Sequence, residues 1–268
     1  MAHDFEGPMI RVVDLVTYYG ERRILNRVNL DIQAGETMVI LGGSGTGKST
    51  LIRHIIRLEL PTSGHIFIKT HDICHMPEER FDLLRHKIGM LFQSAALFNS
   101  MTIEENVSLP LCELTQLEDS TIRIMTRIKL DLVGLNGFEN YMPAQLSGGM
   151  KKRAGLARAL AMDPEILLFD EPSAGLDPVT AAGIDALILK LKRAFRMTIV
   201  VVTHEMASAF LIADRITVMD RGEVIAVGTP DEIKASTHPK VQQFLNRTPE
   251  EEAIDAQAYL RTLTQSGE

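Results

Sequence analysis

Two glycine-rich stretches carry the strongest chemical signal in this sequence of 268 residues. The first, GGSGTGKST at 42–50, matches the pattern G-x-x-x-x-G-K-[ST] and lies between an apolar stretch at 37–41 and an apolar-periodic helix. Glycines let backbone N–H groups curl around phosphate oxygens, a lysine neutralises phosphate charge, and a serine hydroxyl binds Mg²⁺. The residues predicted to form this phosphate site are Gly42, Gly43, Ser44, Gly45, Thr46, Gly47, Lys48, Ser49 and Thr50.

The second stretch, QLSGGMKKRAGLAR at 145–158, places Ser147, Gly148 and Gly149 directly before a basic helix. Adjacent glycines indicate a loop whose backbone comes close to another group. The basic residues at 151–153 indicate that this group is an anion. One nucleotide has no evident need for two glycine loops about a hundred residues apart, so the spacing alone leaves the target of the second loop open.

Further apolar stretches end in polar side chains that could act on a phosphate. ILLFDEP delivers Asp170 and Glu171 at the carboxyl end of a strand, where ligands bind in open α/β sheets. Asp170 is predicted to hold the water shell of Mg²⁺, and Glu171 to orient and polarise a water molecule in line with the γ-phosphate. His204, after TIVVVT, is either structural or in contact with the γ-phosphate. Gln93 also ends an apolar stretch, and by itself it indicates little.

The elements that position these residues predict an α/β fold. Short apolar stretches at 37–41, 166–169, 198–202 and 215–219 alternate with helical patterns, which is typical of buried parallel strands. The stretches RVVDLVTYYG, RVNLDI and GHIFIKT alternate like antiparallel strands and predict a small β layer beside the parallel sheet. Residues 118–160 are mostly helical in pattern.

The bulk composition excludes several classes of protein. The net charge of −7 disfavours nucleic acid as a partner, because that partner calls for a basic surface. The two cysteines, Cys74 and Cys112, are isolated, so neither a disulfide framework nor a zinc site is expected from them. The first residues, MAHDFEGPMI, do not resemble a signal peptide, and no apolar stretch approaches the length of about 20 residues that spans a membrane.

The motifs occur in an order that resembles the ATP-binding cassette ATPases. Tyr19-Gly20, GGSGTGKST, Gln93, LSGGM, LLFDEP, SAGLD at 173–177 and His204 carry this resemblance, which covers roughly residues 10–235. It implies a P-loop (RecA-like) parallel sheet core with an antiparallel β layer and a helical subdomain. The implied nucleotide-binding domain is 8–236, with its helical subdomain at about 94–158. From about Thr237 the composition becomes polar and acidic, which indicates a C-terminal helical extension at 237–268.

The resemblance also implies ATP and Mg²⁺ as the bound molecules and gives each motif a role. Tyr19 would stack on adenine, with Tyr18 as the alternative, and Gln93 would reach Mg²⁺ or water. The implied catalytic residues are Glu171, His204 and Gln93. The implied metal-binding residues are Ser49, Gln93 and Asp170.

In the resembling family, the second glycine loop binds ATP held by another subunit. Two chains close head to tail, so the resemblance implies a homodimer in which Ser147, Gly148, Gly149 and Asp177 serve the nucleotide of the partner chain. Position 150 is methionine where the family usually has glutamine, and methionine cannot make the same side-chain hydrogen bonds. The Ser-Gly-Gly backbone is intact, so binding is expected to survive.

Among such ATPases, a transport subunit is the preferred interpretation. Repair ATPases carry a long coiled coil between the two halves of the site, whereas only 98 residues lie between Lys48 and Ser147 here, and ribosome-associated types carry two cassettes. The chain has no NKxD motif, which a GTPase needs to recognise guanine. A small-molecule kinase would not need the loop at 147–149. A purely structural nucleotide-binding subunit stays conceivable. An integral membrane permease is the implied partner, which places the chain peripherally at the cytoplasmic face of the bacterial inner membrane.

The transported substrate rests on shorter stretches. FQSAALFNSMTIEENVSLPL at 92–111, LSGGM and HPKVQQFL at 238–245 resemble the ATPases of Mce-type phospholipid transport (Mla lipid asymmetry) systems. Such systems also contain an Mce-domain lipid-binding protein and sometimes a STAS-domain accessory protein. The alternative is an ATPase that imports polar solutes such as amino acids. The tail at 248–265 has helix-capping and amphipathic patterns, and it is expected to dock either on its own domain or on a partner.

Overall fold

The computed structural model describes residues 7–246 and residue 248. The helix that the sequence predicts in the tail at 248–265 lies outside the described residues except for Thr248. The strands are β1 Pro8–Tyr19, β2 Arg22–Gln33, β3 Thr37–Gly42, β4 Ser63–Ile68, β5 His71–Asp72, β6 Ile88–Leu91, β7 Ile166–Asp170, β8 Thr198–Thr203, β9 Arg215–Asp220 and β10 Glu223–Gly228. The α-helices are α1 Lys48–Ile55, α2 Glu78–Arg85, α3 Ile103–Leu114, α4 Asp119–Leu132, α5 Gly148–Ala159, α6 Pro178–Ala194, α7 Met206–Ile212, α8 Pro230–Lys234 and α9 Pro239–Leu245.

A six-stranded sheet in the order β10-β9-β3-β8-β7-β6 forms the centre of the fold. The five strands from β9 to β6 run parallel, and β10 pairs antiparallel at the edge. Every residue of β3, β7 and β8 is buried, which confirms the prediction that continuous apolar stretches form buried parallel strands. Because these strands are parallel, their carboxyl ends lie at one edge of the sheet.

A second sheet of four antiparallel strands, β2-β1-β4-β5, covers one face of the central sheet. Met38 and Ile40 of β3 point into the core between the two sheets, and Val39 and Leu41 point to the opposite face, where α5, α6 and α7 pack. Because successive side chains of a strand point to opposite faces, β3 contributes residues to the cores on both sides of the central sheet. The antiparallel layer expected from the sequence is confirmed.

The helices α3, α4 and α5 pack on one another beside the central sheet. Buried Asn106 of α3 organises the loop that leads into them: its amide donates to the carbonyls of Phe98, Met101 and Thr102, and its Oδ1 accepts from the N–H of Phe98. Thr102 and Glu105 form a capping box at the start of α3. One polar side chain thus pairs with backbone N–H and C=O groups of a loop that has no strand or helix hydrogen bonds of its own.

The helix α9 ties the start of the predicted extension to the rest of the chain. Val241 is buried in the same core as the central strands, and Phe244 and Leu245 pack against that core. Within residues 7–246 and 248, no helix has the length and apolar character that crossing a membrane requires.

Candidate nucleotide site

The phosphate loop (residues 42–50) joins β3 to α1 in a conformation that glycine makes possible. Gly45 and Gly47 have φ angles of 76° and 97°, in the left-handed region that side chains disfavour. A Cβ on Gly47 would lie 2.6 Å from Leu25 Cδ2, and one on Gly42 would lie 2.5 Å from the carbonyl oxygen of Met219. The loop therefore has no room for side chains at these positions, and its N–H groups stay open to a phosphate at the amino terminus of α1.

Lys48 lies inside the phosphate loop. Its Nζ donates to the carbonyl oxygens of Gly42 and Gly43, at 2.9 and 2.7 Å, and lies 4.0 Å from Oε1 of Glu171. Burial lowers the pKa of Lys48 below its ordinary value, and the charges of Glu171 and Asp170 oppose that shift. The ammonium is bound by two uncharged carbonyls and has its nearest carboxylate 4.0 Å away, so it can still attract the negative charge of a phosphate.

Ser49 and Asp170 meet at the carboxyl edge of the central sheet. The hydroxyl of Ser49 donates to Oδ1 of Asp170 at 2.8 Å, and Asp170 is buried at the end of β7. A hydroxyl and a carboxylate are oxygen ligands of the kind that Mg²⁺ prefers. The donor set fits Mg²⁺, which Ser49 and Asp170 would hold beside Lys48.

Glu171 has a strained backbone that is held from both sides. Its φ angle is 48°, in the left-handed region, where a residue with a side chain costs about 1–3 kcal/mol. Its N–H donates to the carbonyl of Val202 at 2.9 Å, and its own carbonyl accepts from Nζ of Lys152 at 3.1 Å. The same carbonyl also accepts from the N–H of Ala174 at 3.2 Å. These three bonds fix the direction in which the Glu171 carboxylate leaves the end of β7.

The carboxylate of Glu171 has a free acceptor inside the site. Nδ1 of His204 lies 2.8 Å from Oε2 of Glu171, but the contact lacks the alignment of a hydrogen bond, and the buried Oε2 has no hydrogen-bond partner in the described part of the chain. The contact is therefore electrostatic when the imidazole is protonated. A buried carboxylate oxygen with a vacant lone pair can accept a hydrogen bond from a water molecule.

Gln93 and Tyr19 lie at the periphery of this site. Gln93 is exposed, and none of the hydrogen bonds within the described residues joins it to Ser49, Asp170 or Glu171. Tyr19 is exposed at the end of β1, and its hydroxyl donates to the carboxylate of Glu59. Hydrogen bonds and close contacts thus join Ser49 to Asp170 and Glu171 to Lys48 and His204. Among the described residues, no hydrogen bond joins Gln93 to these side chains, and the Tyr19 side chain interacts with Thr50 of the phosphate loop. Their predicted roles stay predictions.

The second glycine loop (residues 147–149) lies in a separate cluster with Asp177. Ser147 caps α5 by accepting from the N–H of Met150 at 3.3 Å. A Cβ on Gly149 would lie 2.3 Å from Thr180 Cγ2, and Asp177 caps α6 by accepting from the N–H of Thr180 at 3.1 Å. Within the described residues, no hydrogen bond joins residues 147–149 to residues 42–50. The exposed Ser147 and Asp177 therefore form a second polar surface on the same chain.

Two features of α5 differ from what its sequence indicates. The basic residues after the loop were interpreted as facing an anion, but Lys152 donates to the carbonyl of Glu171 and Arg153 to the carbonyl of Val133, at 2.9 Å. Burial lowers the pKa of Lys152 below its ordinary value. Met150 packs partly buried against the core, which explains an apolar residue at that position. Sequence reasoning missed Lys152 as a site residue, because only the packing of α5 against β6 brings it to the carbonyl of Glu171.

Comparison with known proteins agrees with this geometry. The sequence profile described as "ABC transporter" matches residues 25–174. A solved dimeric ATP-binding cassette in a post-hydrolysis state, bound to ADP and Pi, is 34% identical, with a TM-score of 0.77 over 83% of this chain and 99% of that one. The profile match covers the phosphate loop, the second glycine loop and β7, and Asp177 and His204 follow its end.

Three relatives differ in what their names say they transport. A probable ribonucleotide transport ATP-binding protein of Mycobacterium leprae is 42% identical over 240 residues, 90% of this chain and 69% of that protein. An intermembrane phospholipid transport system ATP-binding protein of Haemophilus influenzae is 39% identical over 237 residues, 88% of this chain and 90% of that protein. A methionine import ATP-binding protein of Xylella fastidiosa is 41% identical over 255 residues, 93% of this chain and 75% of that protein.

Proposed function

Because this chain belongs to the ABC transporter family, we propose that its ATP hydrolysis powers the movement of phospholipid between the inner and outer membranes. The assignment of phospholipid as the substrate rests on the similarity to the intermembrane phospholipid transport relative, which extends over 90% of that protein. The stretches at 92–111 and 238–245 resemble such systems as well. The family identifies the chain as an ATPase.

Binding of ATP rests on the phosphate loop and Tyr19. The N–H groups of residues 42–50 and the amino terminus of α1 hold the phosphates, and Lys48 turns its ammonium from the Gly42 and Gly43 carbonyls toward the β- and γ-phosphates. Tyr19 stacks on the adenine with the exposed face of its ring, and Tyr18, which is equally exposed, is the alternative.

Hydrolysis rests on the carboxyl edge of β7 and β8. Mg²⁺, when bound, neutralises charge on the transferred phosphoryl group, and Ser49, Asp170 and Gln93 are the side chains that hold it. Glu171 accepts a hydrogen bond from the attacking water at its vacant Oε2 and orients that water in line with the γ-phosphate. His204 lies beside that oxygen and contacts the phosphoryl end.

The two polar clusters support a head-to-tail homodimer. Ser147, Gly148 and Asp177 are exposed in one chain, and Gly149 is buried behind them. Among the described residues, none of these four makes a hydrogen bond to the phosphate loop, so the exposed surface is open to a nucleotide held by a partner. Ser147, Gly148 and Gly149 stand at the amino terminus of α5, where N–H groups favour an anion. Each ATP then lies between the phosphate loop of one chain and residues 147–149 of the other.

Coupling to an integral membrane permease rests on a groove beside the helical part of the chain. A cavity of about 730 Å³ is lined by Phe92, Phe98, Leu109, Leu114 and other residues of β6, α3 and α5. Phe98 is exposed there, whereas the neighbouring Leu97 packs on the core. The groove therefore offers Phe98 to a short apolar segment of the permease.

The remaining assignments extend the same proposal. The ATPase works peripherally at the cytoplasmic face of the bacterial inner membrane, together with an Mce-domain lipid-binding protein and a STAS-domain accessory protein. The nucleotide-binding domain comprises residues 8–236, with its helical subdomain at about 94–158, and the C-terminal helical extension follows at 237–268. The acidic net charge disfavours nucleic acid as a further partner.

An importer of polar solutes is the second candidate, and the methionine and ribonucleotide transport relatives favour it at similar identity. Purification of the assembled complex from its native membrane, with identification of its membrane subunits and bound lipid, separates the two. The complex is then reconstituted, with a Glu171→Gln complex as the control for ATP dependence. ATP-dependent transfer of labelled phospholipid between vesicles supports the proposal. Methionine uptake without lipid transfer contradicts it.

A further inference from the structure

Three side chains on the antiparallel layer converge on one carboxylate oxygen. Nδ1 of His65 lies 2.8 Å from Oδ2 of Asp72, and Nδ1 of His75 lies 2.9 Å from the same atom. The two imidazole rings are 5.1 Å apart between centroids. One potential ligand atom from each residue lies within 4.8 Å of the others. The cluster shares no residue with the nucleotide site.

The pairing of β4 with β5 brings these three residues together. Asp72 of β5 pairs with Phe67 of β4, so His65, two residues before Phe67, lies on the same face of the sheet. His75 follows in the loop after β5. The other oxygen of Asp72, Oδ1, accepts from the N–H of Cys74 at 3.0 Å, which fixes the carboxylate so that Oδ2 faces both rings.

The ligand atoms of the cluster suit a cation. Oδ2 of Asp72 is flanked by Nδ1 of His65 and Nδ1 of His75. Two histidine nitrogens and one carboxylate oxygen form a ligand set typical of Zn²⁺, whereas Mg²⁺ prefers six oxygens.

We propose that His65, Asp72 and His75 bind a divalent transition metal ion of the Zn²⁺ class, with water completing the coordination. Tetrahedral ligands at about 2.0–2.1 Å from Zn²⁺ stand roughly 3.3 Å from one another. The two observed separations from Asp72 need to open by only about 0.5 Å to reach that value. The side chains of His65 and His75 are 49% and 67% exposed, which leaves one side of the site open to water.

The bound metal would join β4, β5 and the loop that leads into α2. Its effect falls on the stability of the antiparallel layer, since a ligand that binds only the folded chain stabilises it by mass action. Metal binding must displace protons from the imidazoles, so the affinity falls as the pH is lowered. This proposal is independent of the transported substrate and of the ATPase mechanism.

The test uses the full-length chain, freed of metal with a chelator and kept without nucleotide. Zn²⁺ is titrated by calorimetry, and thermal unfolding is followed with and without Zn²⁺. The variants are His75→Gln and His65→Gln. His71→Gln is the matched control, because His71 is an exposed histidine of β5 outside the cluster.

The proposal predicts saturable Zn²⁺ binding and a raised melting temperature for the wild-type chain and for His71→Gln. Each cluster variant loses the thermal shift and binds Zn²⁺ at least about tenfold more weakly, the minimum expected when even a second-shell partner is removed. Wild-type chain without saturable Zn²⁺ binding overturns the proposal. Cluster variants that bind Zn²⁺ as the wild type does also overturn it, because the metal is then held elsewhere.

Discussion

Replacement of Lys152 by methionine tests how the Glu171 carboxylate is aimed. Lys152 is 5% exposed, and its ammonium donates to the carbonyl of Glu171 at 3.1 Å. Methionine is one heavy atom shorter than lysine; it keeps an unbranched apolar side chain and removes the donor. The left-handed backbone of Glu171 then loses the charged donor among its three bonds, while the bonds with Val202 and with the N–H of Ala174 stay.

The size of the effect follows from that single hydrogen bond. A hydrogen bond from a charged donor contributes about 1.5–3 kcal/mol. Each 1.36 kcal/mol in the barrier is about a tenfold change in rate. If the whole free energy of the lost hydrogen bond is added to the activation barrier, kcat for ATP hydrolysis falls by about 10- to 150-fold. Thermal stability changes much less, because the variant also relieves the cost of burying an ammonium.

Steady-state ATPase assays over a range of ATP concentrations measure the change. A positioning role for Lys152 predicts a lower kcat with little change in KM, and partial rescue in Lys152→Arg, which restores a donor. Lys190→Met is the matched control, since exposed Lys190 also donates to a carbonyl, that of Leu132 at 3.3 Å, outside the site. A Lys152→Met chain that is stably folded and has wild-type kcat would refute the reasoning.

Four further changes test the other parts of the site. Glu171→Gln is expected to hydrolyse ATP at less than about a tenth of the wild-type rate, to bind ATP normally and to accumulate as an ATP-bound dimer on gel filtration. Lys48→Ala is expected to raise the dissociation constant for ATP, measured by equilibrium binding; an unchanged constant argues against its phosphate contact. Ser147→Arg is expected to bind ATP as a monomer but to lose paired hydrolysis, and normal turnover contradicts a composite site. Phe98→Ala is expected to keep ATPase activity and lose transport, while Ile124→Ala, exposed on α4 away from the groove, keeps both.

The proximity of Ser49, Asp170 and Glu171 could be expected from the sequence. Each follows or ends a buried strand, and the carboxyl ends of parallel strands share one edge of the sheet. The phosphate loop adds a pattern in which residue type and spacing are set by phosphate geometry. Local signals of this kind survive in a single sequence because the chemistry constrains neighbouring positions.

Lys152 and the order of the central strands depend on contacts between distant parts of the chain. Lys152 follows a glycine loop and is basic, which on local grounds indicates a nearby anion. In the fold, α5 packs against β6 and the side chain of Lys152 is buried, donating to the carbonyl of Glu171. The edge strand β10 pairs antiparallel with β9, although its alternating pattern was not recognised as a strand. No short stretch encodes such pairings, since side-chain and strand partners are chosen by the assembled core.

The cluster of His65, Asp72 and His75 shows a third kind of limit. Its residues are spaced irregularly along the chain, and no metal-binding motif contains them. The pairing of Asp72 with Phe67 brings them to one face of the sheet. A sequence search for zinc sites looks for regular cysteine and histidine spacing, so it passes over a site assembled by a short antiparallel pairing.

The composite site between two chains is the central claim, and a mixing experiment tests it most directly. Lys48→Ala disables the phosphate loop and Ser147→Arg disables the second glycine loop, so each chain alone is expected to be inactive. In a mixed dimer, the intact phosphate loop of the Ser147→Arg chain meets the intact residues 147–149 of the Lys48→Ala chain. Random pairing of equal amounts then restores about a quarter of the wild-type ATPase rate if the two sites act independently. A mixture no more active than the separate chains would contradict the head-to-tail site.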